Sequence, residues 1–309
     1  MEIRSADREE YTSIIKDARY TYNEVWFHDI NRHKVEHVYY LLFKTSKYKG
    51  GVIVGVKNYR AMIPYSAPFS IIEKREEIGT EEIGEMICLL EEFLKEQSVK
   101  SIFFRLPPSF YDETFIAEIQ NVMFRRKYII AAVDLNYQYY LKNEQEYIER
   151  LYRNAKKNLN RALKCDWQFE RCVQMEERKK TYEVIAINRK SKGYSLKMSW
   201  NDVVCTTNHV EHDFFLLRQK GEAVAAAIVF KVTNDVYQVI YWGDVPGYEQ
   251  DRPMNYLAYR TYLYYSERGI RVLDIGPSTE SGEPNYGLCN FKKSIGCSVS
   301  SKLTYIKEF

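Results

Sequence analysis

The sequence contains few of the residues that interrupt regular secondary structure. It has 14 glycines and 8 prolines in 309 residues. Four of these glycines and two of these prolines lie in one stretch, DIGPSTESGEPNYGLCNFKKSIG, which runs from Asp274 to Gly296. Glycine permits positive φ angles and close approach of the backbone to a neighbour. This concentration therefore predicts a specially shaped loop between the elements on either side of it.

Long apolar runs, cysteine motifs and a strong net charge are also missing. One of the longest apolar runs is EAVAAAIVF, far shorter than the roughly 20 residues of a membrane-spanning helix. The six cysteines show no CxxC spacing, which is typical of reduced thiols in a cytoplasmic protein. The first ten residues are mostly charged, unlike a secretory signal. We expect a cytoplasmic protein without a membrane span; its oligomeric state stays open.

The histidines do not form a metal-binding motif. His28, His33 and His37 are five and four residues apart, but the HExxH pattern is absent and a strand is predicted from Val38. His209 and His212 bracket only two residues. We interpret all five as structural or surface residues and expect no metal.

Two stretches of the chain resemble each other. HVYYLLFKTSKYKGGVIVGVKNYRAMIPYS begins at His37, and HDFFLLRQKGEAVAAAIVFKVTNDVYQVIYWGD begins at His212. Each consists of three strand-like runs separated by turns, and each is followed by an amphipathic helix pattern and a short apolar run. The repeat predicts an α/β protein with mixed sheets and two domains of one topology, residues 1–145 and 146–309.

The stretch that follows the apolar run RVLDI has the composition of a ligand-binding loop. Ligands of open α/β sheets bind beyond the carboxyl ends of strands, so Ser278, Thr279 and Asn285 are candidates for substrate contact. Asn285 is a candidate N-cap for a helix that ends near Ser294, whose N-terminus can hold an anion. Leu288, Phe291 and Ile295 share one face of this helix, which we expect to be buried, with Lys292 on its flank. The alternative is a surface connection that only turns the chain.

The C-terminal stretch resembles the Fem-like branch of the GNAT superfamily, which includes Fem-type peptidyltransferases. The shared pattern is a proline-containing loop, a helix ending in Arg-Gly, a strand ending in Asp-Ile-Gly, and Phe-Lys before a glycine. Its residues here are Pro253, Arg268–Gly269, Asp274–Gly276, Phe291–Lys292 and Gly296. The resemblance implies two tandem GNAT-like domains and transfer of an acyl or aminoacyl group to an amine.

One departure from ordinary GNAT enzymes bears on the donor. Those enzymes hold the CoA pyrophosphate with a glycine-containing turn before the long helix, but this chain has no glycine between Gly247 and Gly269. Backbone N–H groups at such glycines wrap a phosphate. Acetyl-CoA or another acyl-CoA stays a possible donor. Fem-like proteins also lack the turn, and in that branch the donor can be an aminoacyl-tRNA.

The segment RLYRNAKKNLNRALK, Arg150 to Lys164, has six basic residues and no acidic one. We expect one amphipathic helix with Arg150, Arg153, Lys157 and Arg161 along its polar side. A similar basic segment opens the second domain of Fem-like proteins. The stripe is a candidate site for the phosphates of a donor; the alternative is a solvated face.

Amine acylation requires a base, donors for an oxyanion and a proton for the leaving group. Strand-end position and the family resemblance give Asp244 and Glu280 as candidate bases and Lys292 as the candidate electrophile. Tyr241 and Tyr286 are candidate proton donors. The rival hypothesis is a non-catalytic tandem GNAT-like protein that binds a ligand or a partner.

Overall fold

The computed structural model describes all 309 residues, which divide into two compact units. The first unit comprises Met1–Leu135, Ser281–Glu283 and Ser300–Phe309, and the second comprises Asn136–Glu280 and Pro284–Val299. The sequence predicts a single cut between residues 145 and 146, whereas the two units take segments from both parts of the chain.

The first unit is a mixed sheet with helices. Its strands are β1 (Glu2–Ala6), β2 (His37–Lys44), β3 (Tyr48–Lys57), β4 (Arg60–Ile63), β5 (Glu73–Lys74), β6 (Ser101–Arg105) and the first part of β7 (Ile129–Tyr140). Its helices are α1 (Arg8–Ile14), α2 (Val25–Ile30), α3 (Thr80–Glu96) and α4 (Glu113–Arg125). Neighbouring strands are antiparallel except for β4 and β6, which are parallel because α3 connects them.

The second unit is built in the same way. Its helices are α5 (Glu144–Arg150), α6 (Arg153–Ala162), α7 (Met175–Ser191), α8 (Trp200–Thr207), α9 (Pro253–Ser266) and α10 (Tyr286–Ser294). Its full strands are β8 (Trp167–Arg171), β9 (His212–Gln219), β10 (Glu222–Lys231), β11 (Val236–Asp244) and β12 (Val272–Pro277). The short strands β13 (Thr279–Glu280) and β14 (Glu283–Pro284) lie in the loop before α10.

The predicted repeat is confirmed by the strand pairing. HVYYLLF forms β2 and HDFFLLR forms β9, and each is the second strand in its unit's series. In both units the next two strands pair antiparallel, and a helix then leads to a parallel strand. The amphipathic helix predicted after the second repeat is α9, and the helix predicted to follow Asn285 and end near Ser294 is α10.

The last strand, β15 (Ser298–Glu308), differs from the expectation that it closes the second unit. Its residues from Ser300 onward belong to the first unit, where Thr304 to Glu308 pair antiparallel with β6. Conversely, the second half of β7 pairs with β12 of the second unit, from Asn136↔Pro277 to Tyr140↔Val272. The two units therefore exchange their closing strands.

Many of the 27 tyrosines are core residues with a satisfied hydroxyl. Tyr139, Tyr147 and Tyr262 pack on one another in the second unit, with ring centroids 4.7 to 5.9 Å apart. The Tyr139 hydroxyl donates to the Ile295 carbonyl at 3.0 Å, and the Tyr265 hydroxyl donates to Asp213 at 2.7 Å. These contacts fix α9 and the end of α10 against the sheet.

The continuous basic helix predicted from Arg150 to Lys164 is wrong, because the chain breaks between α5 and α6. Leu151 and Tyr152 have extended backbones, with ψ of 133° and 156°. The Tyr152 N–H donates to the Ser294 carbonyl at 2.9 Å in place of a helical partner. Arg150 therefore ends α5 and is separated from the other basic residues.

Candidate functional site

Strands β11 and β12 separate at their carboxyl ends. They pair at only three positions, Val236↔Val272, Tyr237↔Leu273 and Gln238↔Asp274, although both strands continue. Ile240 is an extra residue in β11, because Ile228 and Val229 of β10 face Tyr241 and Val239. A bulge of this kind bends a strand and redirects its side chains. The result is an opening between the two strands on the side where α9 and α10 begin.

The bulge reverses the direction of the β11 side chains. Before it, Tyr237 packs against Tyr265 of α9 with ring centroids 4.8 Å apart. After it, the ring of Tyr241 lies 5.7 Å from the guanidinium of Arg189 in α7. In a regular strand, residues four apart face the same side. Tyr241 therefore faces α7 only because of the bulge.

Two of the predicted catalytic residues stand beside this opening on β11. The Tyr241 hydroxyl accepts a hydrogen bond from the Met198 N–H at 3.2 Å, and burial raises its pKa. The Asp244 carboxylate accepts from the Asn188 side chain at 3.1 Å and lies 4.0 Å from the Lys192 ammonium. Burial raises the pKa of Asp244, and the charge of Lys192 opposes this shift. Asp244 is thus a partly desolvated carboxylate with a raised proton affinity.

Lys292 is buried within the inward face of α10, whereas the sequence predicts it on the flank of that face. Its side chain is enclosed and its residue is 2% exposed. The ammonium donates to three backbone carbonyls at the end of β12, those of Ile275, Gly276 and Pro277, at 3.0, 2.8 and 3.1 Å. Burial lowers its pKa to about 8, so it remains mostly protonated at pH 7 and all three of its N–H donors have partners.

The phase of α10 explains this position. Cys289, Lys292 and Ile295 are its buried residues, whereas Leu288 and Phe291 are half-buried. The predicted buried face of Leu288, Phe291 and Ile295 is therefore wrong in its first two members. Phe291 instead packs at the side, with its ring 6.3 Å from that of Trp242 in β11.

Asp274 is a structural residue of the opening. It is fully buried and accepts hydrogen bonds from Asn136 and Gln238 at 2.7 and 2.6 Å. It also accepts from the Gly276 N–H at 2.8 Å. Gly276 has a φ of 74°, a conformation that favours glycine. The Asp-Ile-Gly sequence thus turns the chain out of β12 and presents the carbonyls that Lys292 binds.

The loop after β12 presents its predicted residues in different environments. Ser278 is 3% exposed and its hydroxyl has no partner, whereas Thr279 is half-buried. The Glu280 side chain is 83% exposed and lies 3.8 Å from the ammonium of Lys197, which is equally exposed. Only Ser278 is therefore enclosed in the protein, and Glu280 faces solvent.

The start of α10 is capped as the sequence predicts. The Asn285 side chain accepts from the Leu288 N–H at 3.0 Å and donates to the Tyr194 hydroxyl at 3.1 Å. Tyr286 is 74% exposed. The buried Cys289 thiol contacts the Ser278 carbonyl at 3.6 Å, which is a structural position.

Exposed basic residues without ion pairs form a row along α6 and just beyond its end, which we name the α6 basic stripe: Arg153, Lys157, Arg161 and Lys164. Ala155, Leu159 and Ala162 on the opposite side are buried. Arg150 is outside the stripe, since its guanidinium donates to the Tyr140 carbonyl at 3.3 Å.

The end of the α6 basic stripe lies at the carboxyl edge of the second unit's sheet. Trp167, just after α6, pairs with Gln219, and the Gln219 side chain donates to Asp251 at 3.2 Å. Asp251 belongs to the connection from β11 to α9. The Lys164 end of the stripe and the loop after β12 therefore lie on the same side of this sheet.

The start of α9 has one backbone donor fewer than an ordinary helix N-terminus. Arg252 precedes the helix in a left-handed conformation, with a φ of 59°. Pro253 is the first helical residue and has no N–H. A pyrophosphate at this terminus would lose one of the amide donors that helix N-termini normally supply.

Several residues at this site carry no sequence signal. Arg189 and Asn188 are near the end of α7, where no motif marks them, yet they contact Tyr241 and Asp244. The Nε atom of Arg189 is buried without a hydrogen-bond partner. Only the packing of α7 on β11 reveals these positions. The residues described contain no cluster of His, Cys, Asp and Glu suited to a metal ion.

No protein-family model and no curated protein matches the chain. Solved structures do match it, and the FemX crystal structure aligns with 100% of this chain and 98% of its own at a TM-score of 0.73 and 12% identity. The chain has the fold of FemX. L-PGS from Bacillus licheniformis has the same architecture, with a TM-score of 0.59, 12% identity and coverage of 98% and 92%. A conserved protein of unknown function from Bacteroides thetaiotaomicron matches with a TM-score of 0.62, 11% identity and 99% coverage of both chains.

At these identities the likeness concerns the Fem-like architecture, and the chemistry has to be argued from the residues. No helix of the chain has both the length and the apolar character needed to cross a bilayer.

Proposed function

We propose that the chain is a transferase that moves an acyl or aminoacyl group from an activated donor to an amine. The observation that carries the proposal is the opening between β11 and β12, which has Asp244 and Tyr241 on one side and the strand end bound by Lys292 on the other. A reacting carbonyl placed there meets a base, a hydroxyl and backbone groups of β11 that do not pair with β12.

The proposed transfer requires the protein to remove one proton from the amine and to return one to the leaving group. The acceptor amine gives up a proton as its nitrogen bonds to the acyl carbon, and the bond from that carbon to the donor's oxygen or sulfur breaks. Asp244 is the favoured base because burial raises its pKa towards the working pH. Glu280 is a weaker candidate, since it is exposed and paired with Lys197. Tyr241, or the exposed Tyr286, would return a proton to the leaving group.

Lys292 contributes through the strand end. Its ammonium is already engaged by three carbonyls, so its proposed role is to hold the backbone from Ile275 to Pro277 and to place a positive charge behind it. A fixed positive charge near a developing oxyanion lowers the barrier to acyl transfer. Ser278, Thr279 and Asn285 are proposed substrate contacts in the adjoining loop.

An aminoacyl-tRNA is the donor that the site favours over acyl-CoA. The start of α9 has Pro253 where a phosphate-binding turn would supply N–H groups. The α6 basic stripe supplies unpaired cations at the same sheet edge. Side-chain cations on an exposed helix suit the widely spaced phosphates of an RNA better than one pyrophosphate.

The rival function is ligand or partner binding without catalysis. The observation in its favour is that Lys292 is fully engaged within the protein and Glu280 is neutralised at the surface. A catalytic protein and a binding protein differ in turnover, so the decisive measurement is transfer of a label.

The test uses the full chain with two labelled donors, total tRNA charged with radioactive amino acids and radioactive acetyl-CoA. Acceptors are a lysine-containing peptide, an amino sugar and an aminolipid. Transfer from the charged tRNA, abolished by Asp244→Asn and kept by Glu249→Gln at an exposed position, supports the proposal. Transfer from acetyl-CoA alone would contradict the choice of donor. No transfer from either donor to any acceptor would favour the binding protein.

A further inference from the structure

The turn from α4 to β7 carries an unusual set of exposed apolar residues. Phe124 is 76% exposed, Ile129 67%, Ile130 51% and Val133 45%. Exposed apolar residues are ordinary when they are scattered singly. Here four of them lie within one short segment of the first unit, together with exposed Arg125 and Lys127. We name these six residues the α4–β7 patch.

The backbone of the turn projects the patch outward. The Lys127 N–H donates to the Phe124 carbonyl and the Tyr128 N–H to the Met123 carbonyl, both at 3.0 Å, so α4 ends in a Schellman motif. Lys127 occupies the left-handed position of this motif, with a φ of 64°. Glycine is the usual residue there. Lys127 therefore places a positive charge at a position where the backbone geometry favours glycine.

The inward residues of the same turn hold it in place. Arg126 forms a double hydrogen bond with the buried Glu91, at 2.9 and 2.8 Å. Lys307 donates to the same carboxylate at 2.8 Å and lies 5.3 Å from the ring of Tyr128. Tyr128 is 6% exposed. Because Arg126 and Tyr128 are anchored in the first unit, Arg125, Lys127 and Ile129, which alternate with them, are held outward, and Ile130 is exposed beside them.

The charge of the segment distinguishes between the surfaces that could bind the α4–β7 patch. Residues 119–133 contain Arg125, Arg126 and Lys127 and no acidic residue. Arg125 and Lys127 take part in no ion pair. In a symmetric dimer through this patch the same surface of both copies would meet, which would bring their cations together. A surface that combines anionic groups with an apolar layer satisfies both features, and a bilayer containing anionic lipid has this composition.

We propose that the α4–β7 patch docks the protein on the surface of anionic lipid bilayers. Phe124, Ile129 and Ile130 enter the boundary between headgroups and acyl chains, while Arg125 and Lys127 contact the lipid phosphates. The inference concerns the first unit and does not depend on the transferase reaction proposed for the second.

The experiment measures co-sedimentation of the full chain with vesicles of phosphatidylcholine alone and of phosphatidylcholine with phosphatidylglycerol. We expect binding to the anionic vesicles that weakens with salt. Lys127→Gly suits the left-handed backbone, preserves the fold and should weaken the partition coefficient about fivefold, the effect of one basic residue near an anionic surface. Ile129→Thr with Ile130→Thr should weaken it by about tenfold, since two exposed side chains lose apolar area.

Matched controls exist elsewhere in the chain. Lys220 is also exposed with a left-handed φ of 51°, so Lys220→Gly removes the same charge at a comparable turn. Val173 and Ile187 are 59% and 49% exposed, so Val173→Thr with Ile187→Thr matches the apolar loss. Both controls should bind vesicles as the parent does.

Three results would overturn the proposal. One is the absence of binding to anionic vesicles by the parent chain at low salt. Another is equal weakening by the patch variants and their controls. The third is self-association in sedimentation velocity that Ile129→Thr with Ile130→Thr abolishes, without vesicle binding, which would assign the patch to a second copy of the chain.

Discussion

Lys292 shows how far a single side chain can differ from its sequence-based interpretation. The sequence places it beside a buried face, and the structure places it within that face, with three carbonyls as partners. The buried face of a nine-residue helix is hard to predict from its apolar residues alone. A lysine can also be buried there when backbone carbonyls accept its hydrogen bonds. The start of α10 was predictable because Asn285 is a local N-cap, whereas the carbonyl partners of Lys292 come from β12.

We predict that Lys292→Ala lowers the free energy of unfolding by about 3 kcal/mol or more. The change leaves buried carbonyls without a donor and removes a large buried side chain. Chemical denaturation measures it. Lys293→Ala is the matched control, because the neighbouring lysine is exposed. Equal stability of the two variants would mean that the carbonyl contacts contribute little.

The pH dependence of stability gives a second test of Lys292. Its folded pKa, about 8, is below the ordinary value of 10.5. As pH rises from about 8 to 10.5 the native state loses this proton before the unfolded state does, so the group's contribution to stability increases over that window. Lys292→Ala should remove this increase, and Lys293→Ala should retain it.

We predict that Asp244→Asn abolishes transfer while leaving the protein at least as stable at pH 7. A carboxyl whose folded pKa is raised is less favourable when charged, so its contribution to stability grows as pH falls through that pKa. The amide removes this cost and can still accept from Asn188. For the parent chain, the acid limb of the activity profile should lie above the ordinary pKa of aspartate. Retained activity in the asparagine variant would exclude Asp244 as the base.

At the scale of the element, the α6 basic stripe carries a charge prediction. Changing Arg153, Lys157 and Arg161 to Gln should flatten the dependence of log K on log salt for tRNA, by up to about three units of slope. The fold should persist because the buried side of α6 is untouched. Filter binding at several salt concentrations measures the slope.

The control for the stripe changes Lys16, Lys47 and Lys57 to Gln, which removes the same charge from exposed positions of the first unit. A slope that falls equally in both triple variants would indicate general electrostatic attraction. An unchanged slope in the α6 variant would leave the stripe as a solvated face and remove the reason to favour aminoacyl-tRNA.

The helices that could be predicted were those whose ends are marked by residues close in the sequence. The bounds of α9 and α10 follow from Pro253, Gly269 and Asn285, which start or stop helices by their own chemistry. The break between α5 and α6 was not predictable, because the partner of the Tyr152 N–H is the distant Ser294 carbonyl. The bulge at Ile240 is similar, since nothing in VYQVIYWGD marks an extra residue.

At the scale of the whole molecule, the exchange of closing strands could not be predicted from the sequence. The runs that form β7 and β15 both have strand patterns, but a pattern does not specify which of two similar sheets accepts it. The strand order of each unit was predictable because neighbouring strands follow one another in the chain. Pairing of β15 with β6 joins residues about 200 positions apart in the sequence, Glu308 with Ser101 and Thr304 with Arg105.

We predict that replacing residues 300–309 by a Gly/Ser segment of equal length destabilises the first unit and spares the second. The replacement removes the pairing of β15 with β6, the buried Tyr305 and the Lys307 contact with Glu91. Hydrogen exchange should accelerate in β6 and stay slow in β12. Adding the missing segment as a peptide should restore protection in β6, and equal acceleration in both strands would contradict a local role.

The exchanged strands also have a consequence during synthesis. A ribosome releases the chain from its beginning, and domains generally fold in that order. The first unit, however, waits for residues 300–309 before β6 gains its last neighbour. Until then, one edge of its sheet stays open to any strand nearby. The nascent first unit should therefore be a client of chaperones for nearly the whole time of translation, although it is the first to emerge.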